Sequence, residues 1–344
     1  SGGRNGIKAA IGALATDAAK ESARAKYFSV LDDIDSAWYS LLKSRAALDA
    51  TRSSLGNYQL ALSIAEIRFG AGALSVTDYL SAQSAFESAR TSLSQARRDA
   101  ALARLKVASL TGLPPDFSES PEAGNASLAA ADGLIARIAG YSDADVDAFA
   151  ARVRERAFAS NPDLGRTILE GKKAEGELGL SRREYLPSVS AGVSAGLDYG
   201  RAAGLSDPSV RLSLSGTIPV EFWKTGVAVD KSELALRMAG HDLGKARLDL
   251  EIDLQTAVQN CAAQARSVLS SGKALEYAKK HYENKLEMFR LSAASASDLS
   301  EAAALVSSNE SQLIAARYGF LSCLSDIRTI CALEEDAQVL DLIP

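Results

Sequence analysis

The sequence has few of the residues from which enzymes build active sites. Its 344 residues include two histidines and three cysteines, and neither type is spaced for a zinc site or a nucleophilic triad. Cys261, Cys323 and Cys331 lie in apolar helical contexts, which favours buried structural thiols. We therefore predict no catalytic residues, no cofactor and no metal, and an enzyme is the least favoured interpretation.

Long hydrophobic runs and an excess of positive charge are also absent. No run of 18 apolar residues occurs, so the sequence predicts no transmembrane helix. A net charge of −5 without any block of lysine and arginine argues against a nucleic-acid partner. The chain opens at "SGGRNGIK" without an initiator methionine or a signal peptide, which indicates that the start of the protein is missing from this sequence.

What the sequence does contain is a repeat at a constant separation of 220 residues. The stretches "FGAGALSVTDYLSA" (69–82) and "FRLSAASASDLSEA" (289–302) share a phenylalanine, small residues, a serine, and an aspartate followed by an apolar residue. The correspondence extends over more than a hundred residues without a gap. We interpret the second half of the chain as a copy of the first.

Each copy carries apolar or small residues in a three-four alternation, which is the pattern of a coiled-coil seam. Cys261 and Cys323 fall on seam positions of the second copy. A helix over about 7–68 would be roughly 90 Å long, so it must pack along another helix. Gly70 and Gly72 then mark the tip of a helical hairpin, with Ser75 or Thr77 as the cap of the returning helix.

Between the two copies the hydrophobic period changes from 3.5 to 2. Two alternating segments are joined by "GRAAGLSDP", which predicts a β-hairpin with strands of eleven to thirteen residues. The strand length and the aromatic residues Tyr185, Phe222 and Trp223 at its base fit a membrane-spanning barrel hairpin, although a soluble half-buried sheet gives the same alternation. The membrane-facing residues would be Val189, Val193, Leu197, Leu212, Leu214 and Ile218.

The chain resembles the TolC-type family of outer-membrane channel proteins over nearly its whole length. The resemblance rests on the duplicated "F-x-x-G-x-x-S-x-x-D-x-L" tip and on "NPDL" (161–164) at the start of a helix. It also rests on "YLPSVSAGVSAG" leading into a strand and on "LSLSGTIPVEFWKTG" leading from a strand into a helix.

The resemblance implies a mainly α protein with long antiparallel coiled-coil hairpins and an internal duplication. Each chain of a homotrimer would add its helices to a periplasmic α-barrel and four strands to one transmembrane β-barrel. The first strand pair and the first helix would precede Ser1. The helical tips would form the periplasmic entrance and dock a periplasmic adaptor (membrane fusion) protein.

By motif position, the resemblance assigns Asp78, Asp298 and Glu301 to the periplasmic entrance or gate. Both aspartates follow a serine by three residues, so a role confined to the start of a helix is the alternative. Ser292 replaces the usual glycine, and Ala294 stands where some members carry a basic gating residue, which argues against a salt-bridge lock. The adaptor-docking tips would comprise Phe69, Gly70, Gly72, Leu74, Ser75, Phe289, Ser292 and Ser295.

The predicted function is an exit duct in the cell outer membrane with a periplasmic extension. It would conduct passively in a tripartite efflux or type I secretion system whose inner-membrane pump is an RND or ABC transporter. The alternative is a soluble elongated coiled-coil scaffold or tethering protein. The predicted segments are 1–115 (first repeat), 116–144 (equatorial linker), 145–186 (helix to the barrel), 187–222 (β-hairpin), 223–334 (second repeat) and 335–344 (tail).

Overall fold

The computed structural model describes residues 3–117, 131–197, 208–217, 222–291, 293–334, 338–339 and 341–343. The chain divides into two compact units. The strand unit contains Ser1–Lys26 and Ser160–Glu251, and the hairpin unit contains Tyr27–Ala159 and Ile252–Pro344. The finer division into six segments remains our proposal.

The described residues are mainly helical, as the sequence predicts. Predicted stop and start signals lie at helix ends: Gly112, with φ +72°, follows the second helix, and the Asn161 side chain accepts a hydrogen bond from Leu164 N (3.0 Å) in front of Pro162. The helices are α1 (Arg4–Gly70), α2 (Val76–Thr111), a helical stretch α3 (131–139), α4 (Asp143–Ser160), α5 (Pro162–Arg182), α6 (Phe222–Arg290) and α7 (Ala296–Ile330).

The strand unit contains an antiparallel pair, β1 (Ser188–Leu197) and β2 (Pro208–Thr217). Each strand has ten residues rather than the predicted eleven to thirteen. A short 3₁₀ turn, Arg183–Tyr185, leads from α5 towards β1. The Arg4 guanidinium donates to the carbonyls of Arg183 (2.7 Å) and Leu186, so the start of α1 is fastened to the turn that precedes the hairpin.

The hairpin unit has its core along the predicted seams. Leu41 and Ala65 on α1, Cys261 on α6 and Leu299 on α7 are almost fully buried. Small seam residues such as Ala65 leave no bulky side chain between the helices and so permit close packing. The core nearest the tips contains residues of α1, α2, α6 and α7, including Ala82, Ala278 and Ala302.

Polar contacts join the middle of α1 to the C-terminal end of α7 within the same unit. Asp35 accepts hydrogen bonds from the Ser325 hydroxyl (2.9 Å) and from the guanidinium of Arg328. Arg328 is 7% exposed, so this ion pair lies largely out of water and removal of one partner would strand a buried charge. The sequence pattern did not identify this pair, whose members are 293 residues apart.

Candidate functional site: the two helical tips and the strand face

The turn at the first tip depends on one glycine, Gly72, which ends α1. Gly72 has φ +69°, a conformation that L side chains rarely adopt, and its N–H donates to Phe69 O (2.9 Å). Ala73 N donates to Arg68 O (2.8 Å), so the two bonds form a Schellman motif that ends α1. Ser75 then begins α2, because its side chain accepts a hydrogen bond from Asp78 N (3.1 Å). Ser75, not Thr77, is the cap.

The second tip has a similar pattern of backbone hydrogen bonds and a serine cap. Ala293 N donates to Met288 O (2.8 Å), which is the counterpart of the bond from Ala73 to Arg68. Ser295 caps α7 by accepting from Asp298 N (3.0 Å), and the Asp298 carboxylate accepts from Ser295 N (3.0 Å) in a reciprocal capping box. Ser292, which was predicted to belong to this tip, lies outside the described residues.

The two tip aromatics lie in different surroundings. Phe69 is 39% exposed and stacks on Tyr79 of its own hairpin, with ring centroids 4.9 Å apart. Phe289 is 0% exposed. The guanidinium of Arg68 lies 4.8 Å from its ring centroid and donates to the Phe289 carbonyl (2.9 Å). Phe289 therefore offers no surface to a partner in this structure.

The predicted gate residues also differ in their partners. Asp78 accepts a hydrogen bond from the Ser75 hydroxyl (2.7 Å). Asp298 lies 3.9 Å from Lys285 Nζ. The hydrogen bonds from the Ser295 backbone N–H and hydroxyl, followed by the charge of Lys285, hold the pKa of Asp298 below its ordinary value. Both aspartates are the third residue of a helix behind a serine cap, so each has a structural role at a helix start.

Glu301 lies one turn from Asp298 and lines an open groove of about 660 Å³ in the hairpin unit. Tyr58 of α1 also lines it, but most of the wall consists of small hydroxyl side chains from α1, α2 and α7. They include Ser54, Ser88, Ser92, Ser300, Ser307 and Ser308.

Exposed aliphatic residues surround the tips, and Leu80 is the one among them that the tip motif contains. Ile67 is 73% exposed and Leu291 is 78% exposed, while Val76 and Leu80 are more than half exposed. Leu74, in contrast, packs against the core near the tips. Ile67 and Leu291 are apolar residues outside the seam, and that displacement from the heptad pattern was the available signal.

The β-hairpin has one apolar face, and the side chains that the structure describes on it are exposed. The register pairs Val193 with Leu212 and Ala191 with Leu214, so these four residues share one side of the sheet. Val193 is 71% exposed and Leu214 is 78% exposed. The other side pairs Gly192 with Ser213 and Ser194 with Arg211.

The remaining strand predictions are only partly described. In the strand register, Val189 pairs with Gly216 and Leu197 pairs with Pro208. Ile218 lies outside the described residues. Trp223, at the start of α6, is 67% exposed, which adds a large aromatic surface beside the end of the hairpin.

Within the described part of the chain, none of the helices combines the length and the apolar character needed to cross a membrane.

Two long helical hairpins with a repeated tip and a β-hairpin with one bare apolar face are features of outer-membrane channel proteins. Residues 1–113 and 153–331 match the sequence profile of the family described as Outer membrane efflux protein. The chain belongs to this family.

Three solved structures show the same fold. The CmeC outer membrane channel of Campylobacter jejuni has a TM-score of 0.77 at 14% identity, over 98% of this chain and 71% of that one. A membrane protein from Pseudomonas aeruginosa has a TM-score of 0.80 at 15% identity, over 97% and 73%. The outer membrane protein VceC of Vibrio cholerae has a TM-score of 0.77 at 14% identity, over 97% and 77%.

Proposed function

We propose that this protein is the outer-membrane exit duct of a tripartite efflux or type I secretion system. It conducts passively from the periplasm to the exterior and assembles as a homotrimer. The observation that carries the proposal is the pairing of an uncovered apolar strand face with two capped helical tips in one chain of the Outer membrane efflux protein family.

The strand face supports a membrane location through the cost of leaving it in water. Val193, Leu212 and Leu214 each expose more than two thirds of their surface, and nothing in the described chain covers them. Burying such apolar area is favourable by about 25 cal/mol per Å², so a lipid environment stabilises this hairpin. A barrel closed by strands from several chains would also pair its backbone edges, which lipid requires.

The helical tips support a docking role through shape and composition. Each tip is held by backbone hydrogen bonds and a serine cap, so it presents its surface without a large ordering cost. Ile67, Val76 and Leu291 leave apolar surface exposed around them. We propose that this surface, together with Phe69, contacts a periplasmic adaptor that connects to an RND or ABC transporter.

The entrance role of Asp78, Asp298 and Glu301 is part of the same proposal. A threefold assembly that brings the tips together would gather several carboxylates at its narrow end and favour cation binding there. Asp298 pairs with Lys285, whereas Asp78 bonds only a neutral hydroxyl among the contacts described above. We expect Asp78 to contribute more negative charge to the entrance than Asp298.

The proposal is tested on the full-length protein that carries this chain. We expect it to fractionate with the outer membrane and to migrate as a trimer that resists mild detergent. In planar bilayers it should form long-lived pores. A soluble monomer or dimer in the periplasmic fraction would identify an elongated scaffold and contradict the proposal.

The strand face gives a sharper test, because neighbouring residues lie on opposite sides. Val193→Arg places a charge on the apolar face and should cost about 2–4 kcal/mol of folding free energy in lipid vesicles near the bilayer midplane. Ser194→Arg is the matched control, since Ser194 shares its side with Arg211 and should cost far less. Denaturant titration of the vesicle-inserted protein measures both values, and equal costs would indicate a soluble hairpin.

A further inference from the structure

Cys261 and Cys323 lie opposite one another where α6 and α7 pack. Both are buried, at 0% and 7% exposure. Interaction between the two side chains raises the pKa of the Cys261 thiol and lowers that of Cys323, so they are neighbours. A disulfide requires Cα atoms about 4.4–6.8 Å apart, which facing positions of two packed helices can provide.

The helix register supports this placement independently. A Cβ atom at Gly319 of α7 would stand 3.0 Å from Gln264 Oε1 of α6, so these two positions face one another. Cys261 precedes Gln264 by one turn, and Cys323 follows Gly319 by one turn. Lys285 of α6 is also paired with Asp298 of α7, so the two helices run antiparallel. One turn back along α6 and one turn forward along α7 therefore bring Cys261 and Cys323 to the same height on the two helices.

The corresponding positions of the first copy contain a different pair of residues. At the repeat separation of 220 residues, the counterparts of Cys261 and Cys323 are Leu41 and Ala103. Leu41 is fully buried, and Ala103 packs against the same core cluster. A large and a small side chain thus meet in the first copy, where the second copy has two cysteines.

We infer that Cys261 and Cys323 form a disulfide that joins α6 to α7 when the protein folds under oxidising conditions. Cys331 remains a thiol. Its Sγ–H donates to Val153 O (3.7 Å), which holds it in a separate contact with α4. After folding, burial raises the pKa of Cys331 to about 12, so this thiol does not exchange with a disulfide formed between the other two cysteines.

The chemistry is a two-electron oxidation by a disulfide such as oxidised glutathione or a disulfide-donating protein. The Cys323 thiolate attacks one sulfur of the oxidant, which forms a mixed disulfide and releases one thiol. The Cys261 thiolate then attacks Cys323 Sγ and releases the second thiol. Each cysteine proton passes through solvent to the thiolate that leaves the oxidant, which accepts the two electrons and is released as two thiols. Because both sulfurs are buried, we expect the reaction to occur during folding, before the seam closes.

In cells the bond depends on the proposed location outside the cytoplasm, because oxidising compartments allow disulfides to form and persist. The test in vitro does not depend on that location. The unfolded, reduced full chain is refolded with a mixture of reduced and oxidised glutathione, and its free thiols are then alkylated under denaturing conditions.

Trypsin places the three cysteines in three peptides: 248–266 carries Cys261, 318–328 carries Cys323, and the peptide beginning at Thr329 carries Cys331. Mass spectrometry should find the first two joined and the third alkylated. Recovery of all three alkylated, a link to Cys331, or only glutathione adducts would overturn the inference.

A matched variant separates the bond from general folding. Cys261→Leu with Cys323→Ala copies the pair of the first repeat, so it should fold yet lose the link. Cys331→Ser should keep it. If the double variant stays helical by circular dichroism and the wild type gains thermal stability on oxidation while the variant does not, the bond joins α6 to α7 as proposed. Equal gains in both proteins would contradict it.

Discussion

The tips of the two repeats have the same backbone design but different side-chain environments. Both use a bond from an alanine N–H to the carbonyl five residues earlier, and both begin the next helix with a serine cap. Phe69 is nevertheless partly exposed, and Phe289 is completely buried. The two copies thus share the turn, while the aromatic residue lies partly on the surface in one copy and in the core in the other.

The cause of the difference lies one residue before each phenylalanine. The first repeat has Arg68, and the second repeat has Met288 at the equivalent position. Arg68 reaches across to the second tip, where it covers the Phe289 ring and bonds its carbonyl. No equivalent cation can reach Phe69 from position 288, because methionine carries neither the charge nor the donors.

The largest expected effect is at Phe289. Phe289→Ala removes a fully buried ring and should lower the free energy of unfolding by about 3–5 kcal/mol. Phe69→Ala is the matched control and should cost less than half as much, since its ring is already 39% exposed. Denaturant unfolding of the two full-length variants measures the difference, and similar losses would contradict the contrast between the tips.

The next effect is at the arginine that creates the contrast. Arg68→Met makes the two repeats alike and leaves the Phe289 carbonyl without its donor, so we expect a loss of about 1–3 kcal/mol. Arg290→Met is the control, because Arg290 forms a largely exposed pair with Glu287 and should cost less than about 1 kcal/mol. Thermal unfolding monitored by circular dichroism ranks them, and a loss at Arg290 as large as at Arg68 would show that the carbonyl contact adds nothing.

A smaller effect should be equal in the two repeats. Ser75→Ala and Ser295→Ala each remove a side-chain acceptor from the N–H of an aspartate three residues later, which costs about 1 kcal/mol. Hydrogen exchange of the first turns of α2 and α7 reports the local change. If one cap proved several times more important, the two tips would differ in backbone stability as well as in their aromatic residues.

The smallest effect on stability, and the one that bears on function, concerns the acids. In the full-length channel, Asp78→Asn should weaken cation selectivity or divalent block more than Asp298→Asn, because Lys285 already offsets Asp298. Lys285→Ala, which copies Ala65 of the first repeat, should strengthen the block. Single-channel recording with divalent cations tests all three, and unchanged currents in every variant would confine both acids to helix starts.

The pH dependence of the second tip follows from its capping box. The folded pKa of Asp298 is lowered, so its stabilising contribution is complete above the unfolded value of about 3.9 and is lost as the pH falls through the lowered folded value. Protection factors in the first turn of α7, which correct the exchange rates for the intrinsic pH dependence of amide exchange, should therefore change only in acid. Asp298→Asn should remove that acid transition.

The sequence allowed much of the fold to be predicted, because the relevant signals are local. The seam at Leu41 and Ala65, the left-handed turn at Gly72 and the alternation around Val193 all follow from periodicity or from one backbone angle. Gly112 and Asn161 marked helix ends for the same reason. Each signal needs only its neighbours in the chain.

The contacts that distinguish the tips could not be predicted in this way. Arg68 and the Phe289 carbonyl are 221 residues apart, and Asp35 and Arg328 are 293 apart. Such pairs depend on how separate hairpins pack, and a repeat pattern does not predict that packing. The repeat predicts similar surroundings for Phe69 and Phe289, because it aligns the two residues, and this prediction is wrong. The seam pattern does not predict the exposure of Ile67 and Leu291, because both residues lie outside the seam.

In the proposed duct, the lining of the serine-rich groove would affect how fast solutes pass. Hydroxyl groups exchange hydrogen bonds with water at little cost, so such a wall stays wet and holds no passing molecule for long. In a duct, strong affinity at any point lengthens the time that each solute spends there and slows every solute behind it. If this groove faces the interior of the proposed duct, side chains such as Ser88, Ser92 and Ser307 would favour fast passage, because throughput there depends on the absence of strong binding sites.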